Sequence, residues 1–186
     1  MLAALLAGCN GGAPKFKNTD ITGVGYGKAL SLTDQNGKPR TLADFRGKVV
    51  VLFFGYTHCP DVCPTTLAEL SKVMKVLGPD ADRVQVLFVT VDPERDTPAV
   101  LARYVAAFDP RFLGLYGDAA ATRGAAKEFK VFYEKHQGTV PGEYSMDHSA
   151  GTYVIDSKGR LRLFVGYGKA GADLAHDIRT LLKERE

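Results

Sequence analysis

The chain has 186 residues, 45% of them hydrophobic, and a formal charge of +3 from 24 Lys and Arg against 21 Asp and Glu. This length and composition suit one globular domain with a sizeable core. The basic residues form no run and the aromatics lie in apolar segments, which argues against nucleic acid as a partner. No stretch approaches the ~20 apolar residues of a membrane-spanning helix.

The chain opens Met1-Leu2-Ala3-Ala4-Leu5-Leu6-Ala7-Gly8-Cys9. An apolar run ending in Leu-Ala-Gly-Cys resembles the lipobox of bacterial lipoproteins, whose cysteine is lipidated and becomes the mature N-terminus. The run is short for a signal peptide and no Lys or Arg precedes it. The resemblance implies a signal over 1–8, a lipidated linker over 9–25 starting at Cys9, and a folded domain over 26–186. It also implies an extracytoplasmic site, tethered to the outer face of the bacterial cytoplasmic membrane.

Past the linker, strand and helix patterns alternate. Ala29–Thr33 and Arg40–Leu42 flank an Asn36-Gly37 turn and read as a hairpin. Val49–Phe54 is a continuous apolar run with β-branched residues, the pattern of a strand buried on both faces. Pro64–Leu77 carries Leu67, Leu70, Val73 or Met74, and Leu77 at helical spacing, and Gly78-Pro79 ends it. Val84–Val91 reads as a second buried strand. Helices follow from Thr97-Pro98 to Phe108 and over Ala119–Phe129, then a short strand over Val131–Lys135. Gly151–Ile155 and Leu161–Val165 form a β-hairpin, and Ala172–Lys183 is a closing helix. A βαβ unit followed by a hairpin and a helix predicts an α/β, thioredoxin-like fold: a central mixed sheet flanked by helices, with an added N-terminal hairpin.

The chemistry concentrates at Gly55-Tyr56-Thr57-His58-Cys59-Pro60-Asp61-Val62-Cys63-Pro64, between the first buried strand and the first helix. Two thiols four apart can close a disulfide or hold a soft metal ion. Each precedes a proline and is thereby biased to extended backbone, so Cys63 reads as the helix N-cap and Pro64 as the first helical residue. The helix start favours negative charge and lowers a nearby thiol's pKa.

The chain has four histidines. His176 falls in the last helix among charged residues and reads as a surface residue; His136 reads as a loop residue. His58 adjoins Cys59, but neighbouring side chains diverge. His148 precedes the Gly151 strand, and in a thioredoxin-like fold that entry loop lies against the active-site loop. The preceding Gln137–Glu143 contains two glycines and a proline and reads as a mobile loop carrying it. Two thiolates and one imidazole suit copper better than structural zinc, which takes four protein ligands. Asp92, at the end of a buried strand, reads as a turn cap, a weak Cu(II) ligand, a partner for His148 or part of a docking face, and Asp147 as a group that orients His148.

Three segments together resemble the SCO/SenC copper-binding proteins over roughly residues 25–185. They are Phe54–Pro64, Thr90-Val91-Asp92-Pro93-Glu94-Arg95-Asp96-Thr97-Pro98, and Asp147-His148-Ser149. The resemblance implies a thioredoxin-like fold, a membrane tether, and one copper ion, Cu(I) or Cu(II), on Cys59, Cys63 and His148. It also implies a part in assembling the copper A centre of cytochrome c oxidase subunit II, as copper donor, thiol reductant or both. Another periplasmic copper chaperone or a thiol reductant would be a further partner. The competing readings are a thiol–disulfide oxidoreductase cycling Cys59–Cys63, a copper or redox sensor, and a peroxiredoxin-like peroxidase. The three-residue spacing and the lack of a proline before Gly151 weaken a general thioredoxin role. Tyr56 and Pro60, where a peroxidase needs threonine, weaken the last.

Overall fold

The computed structural model describes residues 15–184, so Cys9 and the lipobox motif lie outside the described residues. In chain order the strands and helices are β1 (Thr19–Asp20), β2 (Ser31–Asp34), β3 (Pro39–Thr41), β4 (Val49–Gly55), α1 (Val62–Leu77) and β5 (Val84–Thr90). Then follow α2 (Pro98–Ala106), β6 (Leu113–Tyr116), α3 (Ala119–Glu128), β7 (Tyr133–Gln137), β8 (Tyr144–His148), β9 (Thr152–Ile155), β10 (Leu161–Val165) and α4 (Ala172–Lys183). An eight-stranded sheet runs β1-β10-β9-β4-β5-β6-β2-β3, and β7 and β8 form a separate two-stranded sheet.

The centre is the predicted one. Every residue of β4 is buried, and β4 pairs parallel with β5 and antiparallel with β9. Burial on both faces explains why the run does not alternate apolar and polar residues. Phe53 and Phe88 pack on one face, with Tyr104 of α2 on Phe88. Phe54 packs against Phe129, at the end of α3. Helices α1 and α4 pack on each other. The β4-α1-β5 unit with the β9–β10 hairpin and α4 gives the thioredoxin-like core, and β2–β3 is the added hairpin. Its turn is tied by Asp34 Oδ1, which accepts from the Asn36 and Lys38 amides, with Gly37 at φ 80°.

Several boundaries differ from expectation. The folded body begins inside the segment assigned to the linker: β1 pairs with β10, and buried Asp177 of α4 accepts from the Lys17 and Asn18 amides. A polar, Gly-containing sequence concealed that strand because its partner is distant. Strand β6 was absent from the expectation, being short and carrying Gly114. A Cβ there would lie 3.0 Å from Leu101 Cβ, so the glycine lets α2 approach the sheet. The strand assigned to Val131–Lys135 lies at Tyr133–Gln137 and pairs with β8 in register Tyr133↔His148. His148 therefore ends a strand and is not carried on a loop. Helix α1 starts at Val62 with Asp61 as N-cap. Cys63 is thus inside the first turn rather than the cap, and Pro64 is the third helical residue, where its missing N–H would still have no partner.

Candidate metal centre

Strand β4 ends at Gly55, and the chain turns over the sheet edge through Tyr56–Asp61 into α1. A buried carboxylate holds this turn. Asp96, 1% exposed, accepts from the Thr57 amide at 3.0 Å, the Thr57 hydroxyl at 2.6 Å and the Thr90 hydroxyl at 2.6 Å. In the sequence Asp96 carries no signal beyond its place in the Asp92–Pro98 segment, four residues past Asp92. Burial pushes its carboxyl above the usual range, against the three hydrogen bonds.

Cys59 is partly exposed and Cys63 is fully buried. Gly55 makes room for the second sulfur: a Cβ on it would lie 2.7 Å from Cys63 Sγ. The Cys63 amide, in the first turn of α1, donates to Cys59 Sγ at 3.4 Å. The helix start therefore serves Cys59, one turn back, instead of Cys63.

The two thiols differ accordingly. The Cys63 thiol donates to Cys59 and, against some burial and with the Cys63 and Asp61 amides, holds Cys59 down to about 5. That same donated hydrogen bond, followed by burial, pushes Cys63 up. The reduced pair is one thiolate at Cys59 and one thiol behind it.

His148 closes the group. Its Nε2 lies 3.3 Å from Cys63 Sγ, and its Nδ1 lies 3.1 Å from the Ser149 carbonyl. A proton on Nδ1, donated to that carbonyl, leaves the Nε2 lone pair facing the sulfurs. The ring is set edge-on against Phe53 and Tyr56. The Cys59, Cys63 and His148 donor atoms all lie within 4.8 Å of one another, a spacing that can hold a metal ion. An open cleft of about 400 Å³ reaches Cys59 and His148, walled by Val62, Phe132 and Met146.

The other candidates lie elsewhere. His58 meets Thr57 and Asp96, His136 pairs with Asp147 at 3.1 Å, and His176 pairs with Asp177 at 3.0 Å. Asp147 does not orient His148. Neighbours on a strand point to opposite faces, so Asp147 is exposed while Tyr144, Met146 and His148 face inward. Buried Asp92 makes its side-chain bonds to Arg95 and Tyr144, not to His148. Two soft sulfurs and one nitrogen, with no further His, Cys, Asp or Glu in the group among the described residues, fit Cu(I). A structural zinc would need a fourth ligand.

Comparison with known proteins agrees with this arrangement. The SCO1/SenC family model matches residues 20–183. The mitochondrial SCO2 homolog of Mus musculus is 40% identical over 158 residues, which are 84% of this chain and 62% of that protein. The chain thus spans less than two thirds of that relative's length. Apo Sco1 from Thermus thermophilus superposes with a TM-score of 0.79 at 47% identity, over 90% of this chain and 98% of that one. Bradyrhizobium japonicum ScoI, solved with copper bound, gives 0.78 at 43% identity, over 84% and 99%. With the family model matching residues 20–183, nearly the whole folded body, the chain belongs to the SCO1/SenC family.

Proposed function

We propose that the chain binds one copper ion through Cys59, Cys63 and His148 and assists assembly of the copper A centre of cytochrome c oxidase subunit II. The convergence of these three donors within 4.8 Å carries the reading. It is supported by the copper in the Bradyrhizobium japonicum relative and by the oxidase role that the family resemblance implies. The pre-set thiolate and the open cleft suit a cargo that must enter and leave. The test is a titration of the reduced protein with Cu(I) and Cu(II), followed by mixing with an apo copper A domain. One copper per chain, lost or strongly weakened in His148→Ala, and its transfer to that domain are expected. Unchanged affinity and spectrum in His148→Ala would overturn the three-ligand site.

A second reading draws on the asymmetry of the thiols. Cys59 thiolate would attack a target disulfide and release one target thiolate. Cys63, giving its proton to the target thiolate already released, would then attack Cys59 Sγ, close Cys59–Cys63 and release the second target thiolate, so that two electrons pass to the target. Reduction of an oxidised copper A domain without metal transfer would favour this role.

The lipobox motif at Cys9 supports a lipid tether that holds the protein outside the cytoplasmic membrane. Labelling of the wild-type protein with radioactive palmitate, absent in Cys9→Ser, tests it.

A further inference from the structure

Beside the metal centre a second polar cluster grips the β7–β8 hairpin, four residues along β8 from His148. The Arg95 guanidinium lies over the Tyr144 ring, 3.5 Å from its centroid, and Lys135 Nζ lies 3.9 Å from the same centroid. Tyr144 donates its hydroxyl to Asp92 at 2.8 Å. Arg95 donates to Asp92 and, through Nη1, to the Tyr144 carbonyl at 2.9 Å. Its Cζ is 5.7 Å from the centroid of Tyr56, whose ring touches His148. Arg95 Nη2 is buried with no hydrogen-bond partner, so the arginine forgoes one bond to make these contacts.

The Lys135 ammonium also pairs with Glu94 at 2.6 Å, and Met146 is the one buried side chain of the two hairpin strands. Besides the cleft over Cys59 and His148, a cavity of about 220 Å³ runs between the hairpin and the Val91–Glu94 turn. Met146 lines both. The hairpin is undercut on two sides, and its apolar packing rests on buried Met146 with Tyr133 and Tyr144 half-buried beside it. Tyr144, Met146 and His148 share its inward face, so a grip on Tyr144 sets the pose of His148.

We propose that Arg95, Asp92 and Tyr144 are positioning residues for the metal centre, a clasp that seats the hairpin so that His148 Nε2 reaches the two sulfurs. With the clasp open, Cys59 and Cys63 keep their places on the β4–α1 turn and on α1 while the imidazole swings away. The centre then changes from three donors to two. Asp92 thereby acts on His148 without touching it. The consequence for copper rests on the function proposed above; the pose of His148 does not.

The test uses the reduced, full-length protein with Arg95→Gln, and with Tyr144→Phe as a milder change that keeps the ring and removes only the hydroxyl. In the metal-free state, Arg95→Gln should speed amide exchange of residues 144–148 at least tenfold. It should also remove nuclear Overhauser contacts between the His148 ring and Phe53, with β4 and β5 amides unchanged; Tyr144→Phe should do the same to a smaller degree. With Cu(I), Arg95→Gln should lose at least tenfold in affinity, and Arg95→Gln/His148→Ala should bind no more weakly than His148→Ala. Unchanged hairpin exchange and His148 contacts in both variants would overturn the proposal, as would full additivity of the two losses. If Arg95→Gln fails to fold, Tyr144→Phe decides by the same measurements. A wild-type protein that binds no copper would defeat the proposed function alone, and the metal-free measurements would still decide the clasp.

Discussion

Nε2 of His148 lies 3.3 Å from Sγ of Cys63, although the two residues are separated by 85 positions. One sits in the first turn of a helix and the other at the end of a strand, so each is carried by a regular element. Neither side chain depends on an unstructured segment for its place.

The thiols should titrate apart. With Cys59 held down to about 5, its thiolate fraction rises as pH increases through that value and is nearly complete at neutral pH. Alkylation of the reduced, metal-free protein by iodoacetamide should follow that rise at Cys59 and leave the buried, protonated Cys63 untouched, as read by peptide mass spectrometry. Replacing Cys63 with Ala removes the thiol hydrogen bond that is the main cause of the depression. The Cys59 rate profile should then move to higher pH.

A methyl group at residue 55 should damage the site from behind. In Gly55→Ala the new Cβ would meet Cys63 Sγ at 2.7 Å and Phe88 Cε2 at 2.9 Å. Pairing with β5 keeps the strand from retreating. Overpacking of this kind costs ~1–3 kcal/mol, measurable as a lower Tm. Copper affinity should fall with it because Cys63 is displaced.

Asp96→Ala should loosen the turn that carries Cys59. It removes the acceptor for the Thr57 amide and for two hydroxyls. Leaving buried donors unpaired costs ~1–3 kcal/mol, to be read in urea unfolding. The exchange rate of the Thr57 amide should rise well beyond that of β4.

Acid should weaken the fold through other carboxylates. Burial opposes ionisation of Asp156, but hydrogen bonds from Arg160 and Arg162 outweigh it and lower its pKa; at Asp177 burial is likewise outweighed by His176, Lys17 and Asn18. A carboxyl lowered in the folded state stabilises the fold fully above its unfolded value, about 3.9. That contribution is lost as pH falls through the folded value. Asp96, whose pKa is raised, works in the opposite sense. Tm measured from pH 7 to pH 3 should drop below about pH 4, and the drop should be shallower in Asp177→Asn.

Much of this was legible because the defining signals are local. The run Val49–Phe54, the cysteine spacing and the Leu67–Leu77 periodicity each state their own structure. The pairing of Tyr133–Gln137 with Tyr144–His148 was not legible: Glu134, Lys135, His136 and Gln137 are polar and exposed, so no apolar face announces the strand. Asp147 illustrates a reading that fails for a geometric reason. Adjacent to His148 in sequence, it faces solvent because a strand alternates sides. Asp96 went unnoticed because a buried acid is recognised only when its donors, here Thr57 and Thr90, are seen in space.

The short strand Thr19–Asp20 has a consequence for association between molecules. It occupies the outer edge of β10, and Asp177 ties down the residues just before it. A chain trimmed to residue 26 would leave the backbone groups of Phe164 and Leu163 without that neighbour. An open strand edge is a template for another chain, so the trimmed protein should self-associate more than the untrimmed one at equal concentration.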